Sequence, residues 1–385
     1  MTEHSAVHRV LLHEQVANVL RKEILAGYPP GHRLDSEASL ARRFRVSSMT
    51  AREAVRMLVQ EGLVRRRQGS GSFVADPASA RIVAILSERD IFHPRTSYFF
   101  PHVIQQLRLL FNEQGVRHRL YVGYCPPDQE QTKFTCAEFL DDVAAGRICG
   151  VVALETIPRP QWIDPLQRAG VPVVGDAEDF AHGVSADYPE MVGEGTRRLL
   201  ELGRRRIAVM GAIHPQSQAH QIGRSLERFR TVMGQGGAAV RENWINTNLD
   251  PRFRGSGWEE FREIWMAYPE KPDGLVVNDD VLFRDVALAI MELGIKVPEH
   301  LAIVTFANKG AEQWFPFPVA RMEYDPDADA RARGEMLLKL VRKEPVAQSK
   351  VYLPFRWVAM PDEVGRPGVA SRPAPNAAYN ETSRT

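Results

Sequence analysis

Residues Leu34–Val74 read LDSEASLARRFRVSSMTAREAVRMLVQEGLVRRRQGSGSFV, and this stretch decides how the rest of the chain is understood. Ser36 (or Asp35) can cap a first helix with Leu40, Ala41 and Phe44 on its apolar side. Arg45-Val46-Ser47 makes a tight turn. Ser47 can cap a second helix that turns Ala51, Ala54, Val55 and Leu58 inward. That helix stops at Gly62. Leu63–Arg67 and Ser72–Val74 then read as two strands joined by Gln68-Gly69-Ser70-Gly71, whose glycines permit the positive φ of a tight hairpin. A helix-turn-helix followed by a basic wing is a DNA-docking shape: the second helix enters the major groove and the wing lies along the backbone or minor groove.

Charge is distributed accordingly. The 385 residues carry a net charge of only +1. Residues 1–75, however, hold 12 Lys and Arg against 7 Asp and Glu, and the remainder holds 37 against 41. A basic module on a slightly acidic one confines the electrostatic footprint to one end. Length and a hydrophobic content of 44% suit two or three soluble domains. The three cysteines, Cys125, Cys136 and Cys149, form no CxxC pair, which argues for reduced thiols. No apolar run approaches the roughly 18 residues of a membrane span. His13, Glu14, Arg21, Lys22 and Glu23 interrupt any signal-peptide core, so the expected location is the cytoplasm.

The run from His13 to Ala75 resembles the N-terminal winged-helix domain of GntR-type bacterial transcription regulators. The matching pieces are E-I-L-x-G, P-P-G-x-x-L, S-E-x-x-L-A, V-S, R-E-A-V, L-x-x-E-G-L-V and R-x-G-x-G-x-F, in that order. The resemblance implies DNA contacts from the recognition-helix pair Thr50 and Arg52, and from Gln68, Gly69 and Gly71 at the wing tip. Arg42, Arg43, Ser47, Ser48, Met49 and Arg67 complete the expected interface. Three positions depart from the family. Ala38 stands where an arginine is usual, and Ser48-Met49 replaces Arg-Thr. Neither Ser nor Met reproduces the bidentate contact of Arg to guanine, so more of the binding falls to Arg52, Arg42, Arg43, Arg45, the wing and DNA shape. For any one arginine a solvated charged face is the bland alternative. For the cluster on a winged helix it is a poor one.

After a linker at 76–80 the pattern changes. Apolar runs of strand length, such as Arg81–Leu86, Gly150–Leu154, Ile207–Met210, Gly274–Val277 and Leu301–Phe306, alternate with helical segments of 10–14 residues. That alternation means parallel sheets covered on both faces. Residues 81–362 resemble the effector-binding domain of LacI-type repressors, a periplasmic-binding-protein-like fold. The carrying pieces are V-S-A-D at 184–187, L-L-E-L-G-R-R-R-I-A-V-M-G at 199–211, G-L-V-V-N-D-D at 274–280 and L-G-I-K-V-P-E-H-L-A-I-V-T-F at 293–306. A GntR-type head on a LacI-type body is the arrangement of the arabinose-repressor-like subgroup. The implied fold class is α/β, an N-terminal winged helix-turn-helix plus a two-lobed domain of parallel sheets. The expected lobes are 81–183 with 310–323, and 187–306 with 326–358, and residues 363–385 read as a disordered tail.

Such bodies bind ligands beyond the carboxyl ends of the strands, in an interlobe cleft. Asp279 matches a family position that accepts hydrogen bonds from sugar hydroxyls, while a local role as helix cap is equally available to it. Arg224 lies one residue from the family's ligand arginine, with Ser225 as the other occupant of that place. Tyr98, Phe99 and Trp314 can stack on an apolar sugar face or serve the core. Asp187 matches a structural aspartate of the family. Leu282-Phe283-Arg284 and Ala307-Asn308-Lys309 depart from the family's small residues and its aspartate, which leaves an acidic ligand or a different pose open. No HExxH, GxSxG or GxxxxGK[ST] is present and the eleven histidines are scattered, so neither metal, cofactor nor enzymatic activity is expected. The expected function is a dimeric, ligand-responsive repressor of operator DNA that senses a carbohydrate or related small molecule. An aminotransferase-like enzymatic body and a non-regulatory binding protein are the alternatives.

Overall fold

The structure, a computed structural model, describes residues 11–60, 62–67, 69–75, 81–88, 90–123, 136–155, 161–212, 219–311 and 313–358. The linker at 76–80, Gln68, Cys125 and the tail lie outside the described residues.

Three helices, Leu12–Gly27 (α1), Glu37–Phe44 (α2) and Ser48–Gln60 (α3), precede the hairpin Val64–Arg67 (β1) and Gly71–Val74 (β2). Apolar residues at helical spacing set their packing: Val16, Leu20 and Ile24 of α1 meet Leu40 of α2 and Ala51, Val55 and Leu58 of α3 in one core. The caps follow the sequence. Ser36 Oγ accepts from Ser39 N at 3.2 Å and Ser47 Oγ from Thr50 N at 3.0 Å. Arg45, at φ 54°, closes α2 in the left-handed region. In the hairpin Val64 faces Val74 and Arg67 faces Gly71. A third segment flanks β2, with Leu34 N donating to Ser72 O and Val74 N to His32 O.

The next elements are Ile82–Ser87 (β3), Phe99–Glu113 (α4), His118–Val122 (β4), Ala137–Ala144 (α5), Ile148–Glu155 (β5), Ile163–Arg168 (α6), Val173–Gly175 (β6) and His182–Ala186 (β7). Tyr188–Glu201 (α7), Ile207–Ala212 (β8), Ala219–Gln235 (α8), Ile245–Leu249 (β9), Trp258–Met266 (α9), Gly274–Val277 (β10), Asp280–Glu292 (α10), Ala302–Asn308 (β11) and Ala320–Tyr324 (β12) follow. Pro326–Val341 (α11), Lys350–Leu353 (β13) and Arg356–Trp357 (β14) complete them. One sheet runs β4-β3-β5-β6-β7-β13 and the other β9-β8-β10-β11-β12-β14. Within them β3 to β7 pair in parallel, as do β8 to β12, and β14 is antiparallel to β12. The strand order is the same in both sheets, an internal repeat in architecture.

Both sheets are covered on two faces, which explains their apolar strands. In the first, Val83, Ile85 and Val152 meet Leu107 of α4 and Leu337 of α11, while Ala84, Leu86 and Val151 meet Phe139 and Leu166 of α5 and α6. In the second, Met210, Val277 and Ile303 meet α9 and α10. The other face carries Val276 and Val304, close to Gly195 of α7.

The chain divides into two units: Met1–Ser185, Pro215–Ser217 and Pro326–Leu353 in one, and Ala186–His214, Gln218–Asp325 and Pro354–Thr385 in the other. This corrects the expected lobes. Residues 310–323 belong to unit two and 326–353 to unit one, the reverse of the sequence reading. The cause lies in the pairing. Ala320, Met322 and Tyr324 are buried in alternation, so β12 extends the second sheet beside β11. The apolar face of α11, with Met336, Leu337 and Leu338, closes the first sheet instead. Arg333 fixes that choice: its buried guanidinium donates to Gly175 O at 2.6 Å, to Val184 O, and to Asp329. The passages between units therefore fall near 185, 325 and 353, whereas residues 307–310, the end of β11 and the turn after it, stay within unit two.

Candidate DNA interface and effector site

Packing of α3 decides which of its residues face outward. Ala51, Ala54, Val55 and Leu58 are fully buried, which leaves Ser48, Met49 and Arg52 exposed on the opposite side. Met49 is 69% exposed, high for an apolar side chain and consistent with a contact face. Ser47 and Thr50 are joined hydroxyl to hydroxyl at 2.8 Å, so the threonine is partly committed to the cap. Arg42, Arg43 and Arg67, with Gly69 and Gly71, are also exposed. Arg43 pairs with Glu23 of α1, and Arg67 lies over the Phe73 ring at 5.2 Å.

One residue absent from the sequence reading organises this face. Glu37, in the first turn of α2, accepts from Arg52 Nε at 2.9 Å and pairs with Arg66 of β1. A single carboxylate thus ties recognition helix to wing. Its signal was the S-E pair, which reads first as a helix start. Arg52 remains 60% exposed and able to exchange Glu37 for a phosphate or a base edge.

In unit two the chain leaves β8 for α8 on one face and leaves β10 for α10 on the other. Strands whose connections diverge in this way open a crevice at their carboxyl ends. Asn278 stands there, and its side-chain oxygen accepts from Ala212 N at 3.1 Å, bridging β10 to β8. Gly211 is required beside it, since a Cβ would come within 2.8 Å of the Asn278 side chain. Asp279 follows. Its Oδ1 accepts from Leu282 N at 2.7 Å, so the capping role is real. Burial, then the neighbouring Asp280, pushes its carboxyl up to about 7, against the pull of the Leu282 and Val281 amides. Asp280 accepts from Asn308 Nδ2 at 3.2 Å, and Gln313 Nε2 donates to the Asp280 carbonyl at 3.4 Å. Lys309 is paired with Asp325 at 2.7 Å.

The remaining expected effector residues are dispersed. Arg224 is exposed on α8 beside the buried Ser225, and Trp314 is 85% exposed in the turn before β12. In unit one, Phe99 packs edge-on against Phe100 and against the core. Tyr98 is 37% exposed and holds His102 through its hydroxyl at 2.8 Å. A further acid that the sequence reading missed is Glu88, fully buried after β3, which accepts from Trp162 Nε1 at 2.8 Å. Among the described residues no group of three His, Cys, Asp or Glu side chains could hold a metal ion, and no helix is long and apolar enough to cross a membrane.

Residues 12–74 match the model of bacterial regulatory proteins of the gntR family, and residues 196–359 that of the periplasmic binding protein-like domain. The arabinose metabolism transcriptional repressor of Halalkalibacterium halodurans is 26% identical over 310 residues, 76% of this chain and 79% of that protein. The repressor of the same name from Geobacillus stearothermophilus is 24% identical over 351 residues, 85% of this chain and 91% of its own. A solved structure described as the transcriptional regulator CelR–cellobiose complex has the same fold, with a TM-score of 0.58 and 20% identity over 82% of this chain and 91% of that one. The chain is a DNA-binding transcription regulator of the GntR/LacI type, a gntR-family winged helix joined to a periplasmic binding protein-like ligand-binding domain.

Proposed function

We propose that this regulator is a homodimeric repressor that binds a pseudo-palindromic operator through α3 and the wing, and that a neutral or acidic carbohydrate, or a related small molecule, modulates that binding. The observation that carries the effector half is Asp279, a buried carboxylate at the switch-point crevice of a parallel sheet. Its Oδ1 accepts from the Leu282 amide, and a carboxylate, with several lone pairs on its two oxygens, suits neighbouring ligand hydroxyls. The similar proteins support the sugar class: two are repressors of arabinose metabolism and one is a regulator in complex with cellobiose. On the DNA side the expected contacts are Arg42, Arg43, Ser47, Ser48, Met49, Thr50, Arg52 and Arg67 with the wing tip at Gln68, Gly69 and Gly71. On the effector side Asp279 leads, with Tyr98, Arg224 and Trp314 as further contacts, and Phe99 serves packing. The protein acts in the cytoplasm and has no enzymatic role in this reading.

A ligand changes operator occupancy only by binding the DNA-competent and incompetent states unequally. The test is capture of genomic DNA fragments by the full-length protein at physiological salt, followed by titration of aldoses and aldonic acids against the enriched fragment. Enrichment of a two-fold-related sequence, released by one sugar class, is the expected result. Capture without sequence preference would overturn the operator reading. A sequence-specific complex that no member of the panel alters would overturn the effector reading.

A further inference from the structure

At the amino end of α4 three side chains form a relay. Tyr98 Oη lies 2.8 Å from His102 Nδ1, and His102 Nε2 lies 2.7 Å from Oδ1 of Asp327, in the first turn of α11. Both helices belong to unit one, and α4 follows β3 directly, so this relay stands at the carboxyl end of that sheet. The tyrosine ring leans on the imidazole, with centroids 5.0 Å apart. The imidazole is 21% exposed, and Asp327 and Tyr98 face solvent more fully.

With a neutral imidazole, the chemistry of the three groups sets the direction of each hydrogen bond. An ionised carboxylate only accepts, so Asp327 requires the proton of His102 on Nε2. In the neutral imidazole Nδ1 is then an acceptor, and the phenol must donate to it. Tyr98 thereby commits its only hydrogen inward and turns only lone pairs outward. We infer that Tyr98, His102 and Asp327 form an effector-selecting element in which His102 positions Tyr98 as an obligate acceptor, favouring a neutral polyhydroxy ligand over a carboxylate or phosphate. A ligand O–H meets the phenol oxygen well, whereas an anionic oxygen placed there faces lone pairs with no hydrogen between. This rests on the effector reading above and narrows its ligand from sugars and sugar acids to neutral sugars.

Two measurements on the full-length protein test it. A long-range proton–nitrogen NMR spectrum at about pH 8, above the ordinary imidazole range, reads the tautomer of His102 with no ligand present, assigned by its loss in His102→Phe. A proton on Nε2 alone is expected, and one on Nδ1, or on both nitrogens, overturns the inference. Calorimetry with an aldose panel and the matching aldonic acids reads the selectivity. The unmodified protein should prefer the neutral member on the order of tenfold, and His102→Phe and Asp327→Leu should each erase most of that ratio. A preference for the acid, or an unchanged ratio in both variants, defeats the inference and leaves the effector reading standing. A panel in which no member binds the unmodified protein defeats both.

Discussion

Replacing Asp279 by Asn separates the two demands on that side chain. Asn is as good a helix cap as Asp, so the bond to Leu282 N at 2.7 Å survives and α10 keeps its start. What disappears is a charge that the site holds at a cost. Burial and Asp280 raise the carboxyl from its ordinary 3.8 to about 7. Below 3.8 the group is neutral in the folded and the unfolded chain, and its full contribution to stability is present. As pH rises toward 7 the unfolded chain ionises freely while the folded one resists, so stability falls across that window and then levels. Shared between two adjacent carboxyls, the loss is on the order of 2–4 kcal/mol. For a unit of this size each kcal/mol moves the melting temperature about 2–4 °C. Thermal unfolding followed by circular dichroism, without ligand, should therefore show Asp279→Asn at least about 4 °C more stable than the unmodified protein at about pH 8. At about pH 4 the two should coincide. Effector affinity should move the opposite way, falling on the order of 10–100-fold as a charge-assisted acceptor is lost. A stability difference equal at both pH values would refute the account of Asp279 as a buried, reluctantly ionised group.

Three other substitutions probe the remaining links. Arg52→Ala should weaken operator binding by about 1–3 kcal/mol in fluorescence anisotropy while effector affinity stays unchanged; intact operator affinity would remove α3 from the interface. Ser47→Ala should cost about 1 kcal/mol and speed hydrogen exchange at the Thr50 amide, because that amide loses its cap. Arg333→Met removes the buried guanidinium from which the Asp329 carboxylate and the Gly175 and Val184 carbonyls accept, at a cost of about 3–5 kcal/mol in denaturant unfolding. The pair Arg333→Met with Asp329→Leu should recover much of that loss.

The head was legible because its signals are local. Ser36 and Ser47 cap where their types and positions suggest, and the apolar spacing of α3 names its buried face without reference to the rest of the chain. Most body strands legible in the sequence, such as β3, β8, β10 and β11, are buried on both faces and appear as unbroken apolar runs. The strands that were missed lack that signature. β9 is the polar run INTNL at a sheet edge, β7 is built largely of small residues, and β13 alternates exposed and half-buried positions. Missing β7 and β13 hid the return of the chain to the first sheet, and with it the true membership of α11. Sequential order gives no hint that α11 packs on strands more than 150 residues earlier; the Arg333 bond to Gly175, 158 residues away, is a tertiary fact.

The candidate sites divide along the same line. Asp279 and Arg52 could be picked out because each sits at a local landmark, the start of a helix after a strand and the outward face of a recognition helix. Glu37, His102 and Asp327 could not, since each acquires its role from a partner distant in sequence: Arg66 lies 29 residues from Glu37, and Asp327 lies 225 from His102. Such groups govern what the legible ones can do. A lone Arg52 would sample many rotamers, at an entropy cost on binding. Held by Glu37 it is already restrained, and DNA must compete with a carboxylate for it. The departures at Ser48 and Met49 make this competition matter more, because fewer arginines remain on α3 to read bases. Glu37→Gln should accordingly raise affinity for non-specific DNA by freeing Arg52 and Arg66 for phosphates, and narrow the gap between operator and non-operator sequences. Salt titration of both complexes decides it. If the operator and a scrambled duplex respond to the substitution alike, the carboxylate contributes only to general charge, and the tie between recognition helix and wing has no part in selecting sequence.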